Sequence, residues 1–346
     1  MSVRRFMTPP RPRGAGGIRR LSALALGVGA MLLLTGGCDD PLVDEPKKDE
    51  SPLIVVPDPP PAPSPKLLYL PDGGDKAPPE APQLAPQAGI PQVGSTSRCP
   101  ADMVDIRGKY CIDRYEAQLV DTAQGRVLSP YYSPEGRKAK REFGTWRKQA
   151  LEVGSEQARA KPVPFPAGWQ LTETYEPKAV SAPGVLPNGY MTAHDAQKAC
   201  RNAGKRLCTE AEWVTACQGE RQRQFPYGDK YEAKKCNVFR EAHPAAVLHD
   251  DASRGHLDPR LNQVSSSAGP LLRKTGATSE CKSVWGNDAA YDMVGNLDEW
   301  IDDPEGVFVG GFFSRSTKNG CLASVHAHPP EYYDYSLGVR CCLSQQ

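Results

Sequence analysis

The stretch Thr192-Ala-His-Asp-Ala-Gln-Lys-Ala-Cys-Arg-Asn-Ala-Gly-Lys-Arg-Leu-Cys-Thr-Glu-Ala-Glu-Trp-Val-Thr-Ala-Cys217 holds the plainest periodicity in the chain. Thr192 followed by Asp195 makes a capping-box-like start. Ala196, Ala199, Cys200 and Ala203 then recur at i, i+3, i+4 and i+7, and Gly204 stops the helix. Thr209 with Glu212 repeats the box, and Trp213, Ala216 and Cys217 form the next buried stripe. Cys200 and Cys217 thus sit on inward faces of neighbouring short helices, where a cross-link to a distant strand would leave. His194 falls on the solvent side of the first helix.

Outward from this pair the pattern weakens. Residues 120–189 are polar, and Pro162, Pro164, Pro166, Pro183 and Pro187 break any long element, which predicts loops and short strands. Two strands are expected near the end, Phe308–Phe313 and Leu337–Cys342, with glycines marking bulges or close backbone approach. No repeat is visible. The reading is an α+β domain with a high loop fraction.

The first hundred residues are of another kind. Residues 1–20 carry six arginines and no acid, residues 21–37 are apolar and small, and Cys38 follows. That order is an n-region, an h-region and a small-residue cleavage zone. Leu34-Thr-Gly-Gly-Cys38 resembles a bacterial lipoprotein signal, which implies lipidation of Cys38 and a chain anchored to a membrane of the cell envelope; Thr35 departs from that pattern. Residues 39–97 hold fifteen prolines and keep no apolar periodicity, the composition of an extended disordered tether. The expected organisation is a signal peptide at 1–37, a lipidated cysteine and tether at 38–98, and one folded domain at 99–346.

The net charge of +1 supplies no field to hold a polyanion, so nucleic acid is not an expected partner. Loss of 1–37 leaves 36 basic against 41 acidic residues. Of eleven cysteines, Cys38 belongs to the anchor and ten lie in the domain. An even set in an exported chain favours disulfides, and no C-x₂₋₄-C knuckle supports zinc.

Six segments occur in order: Cys111-Ile-Asp-Arg-Tyr-Glu116, Gly204-Lys-Arg-Leu-Cys-Thr-Glu-Ala-Glu-Trp213, Phe225-Pro-Tyr-Gly228, Tyr291-Asp-Met-Val-Gly-Asn-Leu-Asp-Glu-Trp300, Gly310-Gly311 and Gly338-Val-Arg-Cys341. Together they resemble the formylglycine-generating enzyme, or sulfatase-modifying factor, family over about residues 99–343. The resemblance implies a loop-rich variant of the C-type-lectin fold that binds calcium. It also implies the disulfides Cys200–Cys341 and Cys217–Cys321. Proximity adds Cys99–Cys111, and the remaining four are assigned as Cys236–Cys281 and Cys208–Cys342.

For calcium the resemblance implies side-chain oxygens of Asp292 and Glu299 with the carbonyls of Gly295 and Leu297. A second site would use Asn237, the carbonyl of Val238 and a downstream acid, Asp251 or its neighbour Asp250. Active members of the family bind copper through two cysteines shortly after the Gly-Gly. Here the stretch from Phe312 to Gly320 contains no cysteine, and Cys321 is assigned to a disulfide. No copper and no catalytic residue are therefore expected. His326 and His328 would share one face of a strand and are a candidate, incomplete, site for a redox metal. Trp285, Tyr332, Tyr333 and Tyr335 could line a groove, although packing around the last strand is the favoured reading, and no G-x-S-x-G motif supports a serine triad. The expected function is an envelope-anchored binding or scaffold module for a protein, peptide or glycan ligand. The alternatives are a metal-dependent oxidoreductase of the same family with a rearranged site, and a purely structural envelope component.

Overall fold

A computed structural model describes residues 98–238, 242–315 and 317–345. The expected signal peptide, Cys38 and nearly all of the tether lie outside the described residues. Among the described residues no helix is long and apolar enough to cross a membrane.

Both helices read from the sequence form, at Ala193–Asn202 and Glu210–Gln218, and both capping boxes close reciprocally, Thr192 with Asp195 and Thr209 with Glu212. Their buried faces are Ala196, Ala199 and Cys200, and Trp213, Ala216 and Cys217. The expectation of loops over 120–189 is corrected by a 14-residue helix, Gly136–Gln149. Its buried positions are Ala139, Glu142, Phe143 and Trp146, which keep helical spacing. A glutamate in that stripe hides the pattern; Glu142 is buried because it accepts from the Tyr333 hydroxyl at 2.6 Å.

Two four-stranded sheets carry the domain. The first runs in the order Met103–Ile106, Tyr110–Asp113, Cys341–Ser344, Arg206–Leu207, all antiparallel. The second runs Ser324–Val325, Phe308–Val309, Asp298–Trp300, Leu337–Val339, and its last pair is parallel. The expected strand 337–342 is divided: Leu337–Val339 belongs to one sheet, Cys341–Ser344 to the other, and Arg340 is the step between them. The expected strand at 308–313 ends at Val309, because Gly310 and Gly311 take φ of +88° and +76°.

Five disulfides close the domain: Cys99–Cys111, Cys200–Cys341, Cys208–Cys342, Cys217–Cys321 and Cys236–Cys281. Adjacent residues of a strand face opposite ways. Cys341 therefore reaches Cys200 in the core around Trp300 and Leu337, while Cys342 reaches Cys208 in the core around Trp213 and Ile112. A third core packs Tyr190, Leu261, Leu271, Phe312, Phe313 and Tyr335.

Candidate functional site

The polar interior is built around the step at Arg340. Its guanidinium is fully buried and binds both oxygens of Glu299, Nε at 3.1 Å and Nη2 at 2.9 Å. It also donates to the carbonyls of Asp113 at 2.8 Å and Tyr291 at 2.7 Å, so one side chain joins both sheets and the hairpin Lys282–Trp285/Asp288–Tyr291. Trp213 Nε1 donates to Glu299 Oε2 at 2.6 Å. Glu116 accepts from the Leu297 amide at 2.9 Å and Asn296 Nδ2 at 2.6 Å, and Asp292 accepts from the Gly276 amide at 2.6 Å. Burial, then the charges of Asp292 and Glu299, holds the Glu116 carboxyl well above the usual range. Burial likewise pushes Asp292 up to about 6.

The second polar cluster follows the two glycines. A Cβ on Gly310 would lie 2.9 Å from the Met293 carbonyl and 3.1 Å from the Trp213 ring, so only glycine lets the chain turn there. Beyond the turn, Ser314 donates to the Ala242 carbonyl at 2.9 Å, and Arg315 Nη1 to Asp298 Oδ1 at 2.8 Å. The Asp298 carboxyl is buried and pushed up to about 7, Arg315 opposing the shift. Among the described residues its Oδ2 is buried without a hydrogen bond; the nearby Gly311 amide favours its charge but is outside bonding geometry. Phe312 lies edge-on to His243 and to Tyr335, with centroids 6.0 and 5.7 Å apart. The Tyr335 hydroxyl is 3.1 Å from His243 Nε2, and His243 Nδ1 is buried without a partner among the described residues. Burial, then the neighbouring His256, lowers the His243 pKa, so the ring is neutral near pH 7. Burial raises the Tyr335 phenol, which keeps it a neutral donor. A neutral phenol, a neutral imidazole and a buried carboxyl can hold a polar group by hydrogen bonds; none is a thiolate or an activated nucleophile.

The residues expected at calcium sites fall as follows. Asp292, Gly295, Leu297 and Glu299 lie in one segment against Glu116 and Arg340. They fit calcium in part. Three buried carboxyl groups share one guanidinium, so a cation would stabilise their ionised forms, but the Glu299 oxygens are committed to Arg340 and Trp213. Asn237 is buried, and its Oδ1 accepts no hydrogen bond, as a ligand oxygen would. Asp251 is bound in its own turn by Ser253 and Arg254, and Asp250 caps the helix Pro244–His249. No group of three or more His, Cys, Asp and Glu side chains among the described residues is placed to hold a metal ion.

His328 is stacked on Tyr332 at 3.9 Å and on Phe308 at 5.8 Å, while His326 shares a hydrogen bond with Ser324. The aromatic residues pack rather than line a common groove: Trp285 lies in the Trp213 core, and Tyr335 and Tyr333 lie in the third. His194 is exposed and pairs with Glu331. The residues missed by sequence reading are His243, His256, Asp298 and Arg315. The one available signal was their neighbourhood, since Asp298 and Arg315 flank the glycine pair.

Residues 165–344 match the model of the sulfatase-modifying factor enzyme 1-like domain. The formylglycine-generating enzyme of Mus musculus is 30% identical over 224 residues, covering 62% of this chain and 54% of that protein. An inactive C-alpha-formylglycine-generating enzyme 2 of Bos taurus is 28% identical over 116 residues, 33% of this chain and 32% of that one. The chain spans about half the length of the mouse enzyme. The crystal structure of CarF superposes with a TM-score of 0.34 at 12% identity, over 68% of this chain and 87% of that one.

Proposed function

Because this chain belongs to the sulfatase-modifying factor enzyme 1-like family, we propose that it is an envelope-anchored member without the family's copper-cysteine oxidation, working as a binding or scaffold module. One observation carries the reading. Oxidation of a substrate cysteine in the family uses two cysteines after the Gly-Gly, and here all ten cysteines of the domain are tied in disulfides, Cys321 to Cys217 among them. Ser314 and Arg315 stand in the stretch where thiols would be needed. A bovine relative bears the name of an inactive enzyme, which accords with this loss within the family.

The proposal includes the lipid on Cys38, the proline-rich tether as a spacer and the C-type-lectin-like form of the fold. It also includes a structural calcium ion beside Asp292, where it would favour ionisation of the buried carboxyl groups around Glu116. That ion would act on stability alone.

The deciding experiment incubates the purified full chain with copper, oxygen, a thiol reductant and a cysteine-containing peptide. The peptide should keep its sulfur by mass spectrometry. Conversion of its cysteine to an aldehyde would overturn the proposal. Melting followed with and without EGTA tests the calcium: a melting temperature unchanged by the chelator would remove it.

A further inference from the structure

We propose that the groove along the strand Ser265–Ser266 receives an extended, acidic peptide segment of a partner protein. This rests on the reading of the domain as a binding module and names the chemistry of what it binds.

The groove has a volume of about 790 Å³, and Tyr131, Leu186, Asn262, Leu272, Arg273 and Lys274 are among its walls. It shares Lys161, Pro162 and Ser265 with a second trough of about 380 Å³, so the two adjoin in one elongated depression. Among the described residues no carboxylate lines either trough. Three cations do: Lys161, Arg273 and Lys274, and none of them makes an ion pair among the described residues. Arg273 makes one side-chain hydrogen bond, to the Thr278 hydroxyl at 3.1 Å. A chain with 41 acidic residues against 42 basic ones has no general shortage of carboxylates, so an acid-free basic groove is a local choice. Charge complementarity makes the occupant acidic.

Three further features make it a peptide rather than a small anion. Two adjoining troughs share the depression, and the buried Leu272 and half-buried Leu186 set apolar surface among the cationic side chains. One wall is the hairpin Ser265–Ser266/Gly269–Pro270, whose paired residues Ser265 and Pro270 both line the groove, beside which an extended segment can lie. Asn262 also lines the groove. It is 4% exposed, gives Nδ2 to the Tyr335 carbonyl at 2.8 Å and, among the described residues, leaves Oδ1 without a donor, the place a peptide N–H would take. That bond to Tyr335 also ties the groove to the cluster behind the two glycines.

The test is fluorescence anisotropy on the full chain with a labelled nonapeptide alternating leucine and glutamate. The control replaces each glutamate by lysine. The acidic peptide should bind at least about tenfold more tightly, and the triple variant Lys161→Glu, Arg273→Glu, Lys274→Glu should reverse the order. Lys274→Glu alone, at an exposed position, should cost about threefold with the melting temperature unchanged, which guards against misfolding of the triple variant. Equal binding of the two peptides would overturn the proposal. So would acidic binding indifferent to both variants, or competition by inorganic phosphate at the same concentration as peptide. Those results leave the binding-module reading standing; aldehyde formation on a cysteine peptide would remove that reading instead.

Discussion

Arg340 and Arg315 each face a buried carboxylate, and the two pairs are built differently. Arg340 is fully buried, meets Glu299 with two nitrogens, and spends its remaining donors on the carbonyls of Asp113 and Tyr291. Arg315 is one-third exposed and makes a single bond to Asp298, whose second oxygen stays unpartnered. Around Arg340 the donors are matched, and the disulfides of Cys341 and Cys342 begin one and two residues later. Around Arg315 two buried polar atoms, Asp298 Oδ2 and His243 Nδ1, lack partners among the described residues. A matched network resists change, whereas unmatched atoms retain the capacity to take a ligand group or a proton. The first region holds the sheets together, and the second leaves polar atoms unmatched.

The comparison breaks first at the cross-link. Removing Cys200–Cys341, which closes 141 residues, by the double variant Cys200→Ala, Cys341→Ala should cost about 4–5 kcal/mol in urea unfolding, the chain-entropy expectation. A cost near zero would mean that the strand Cys341–Ser344 is held without it. Next comes Arg340→Leu, which strands Glu299 and two carbonyls; breaking a buried pair this way costs about 3–5 kcal/mol. If Arg340→Leu proves no worse than Arg315→Leu, the contrast between the regions fails.

A smaller effect is expected at Asp113, which is buried against Lys205 with its pKa pushed up to about 6. In the unfolded chain it titrates near 3.8. Between those values the folded state holds more proton than the unfolded one, so this group's contribution declines as pH rises from about 4 to 6. Asp113→Asn should lower stability by about 1–3 kcal/mol and flatten that part of the pH profile. An unchanged slope would show that Asp113 does not titrate there. The smallest effect belongs to Tyr335→Phe, which removes one hydrogen bond to His243 and should cost about 0.5–1.5 kcal/mol in the same assay.

How legible was this in the residues? Both capping boxes and the inward cysteines follow from local rules, because an N-cap hydroxyl and a carboxylate three residues on satisfy each other within one turn. The helix Gly136–Gln149 escaped because Glu142 interrupts its apolar stripe, and the Tyr333 hydroxyl that makes the burial tolerable lies 191 residues away. The missing thiol pair after Gly311 was visible at once, since it is a matter of composition. The cluster of His243, His256, Asp298, Arg315 and Tyr335 was not, because its members come from five separate segments.

By itself, then, the sequence determined the α+β class, the family resemblance, the ten cysteines of the domain and the absence of a thiol pair after the glycines. These depend on spacing, residue identity and local hydrogen bonding. Tertiary structure alone decided that Arg340 is the step between two sheets, that Glu299 is committed to it, and that Lys161, Arg273 and Lys274 gather on one acid-free groove. Burial and charge pairing are set by neighbours distant in the chain, and a linear pattern does not carry them.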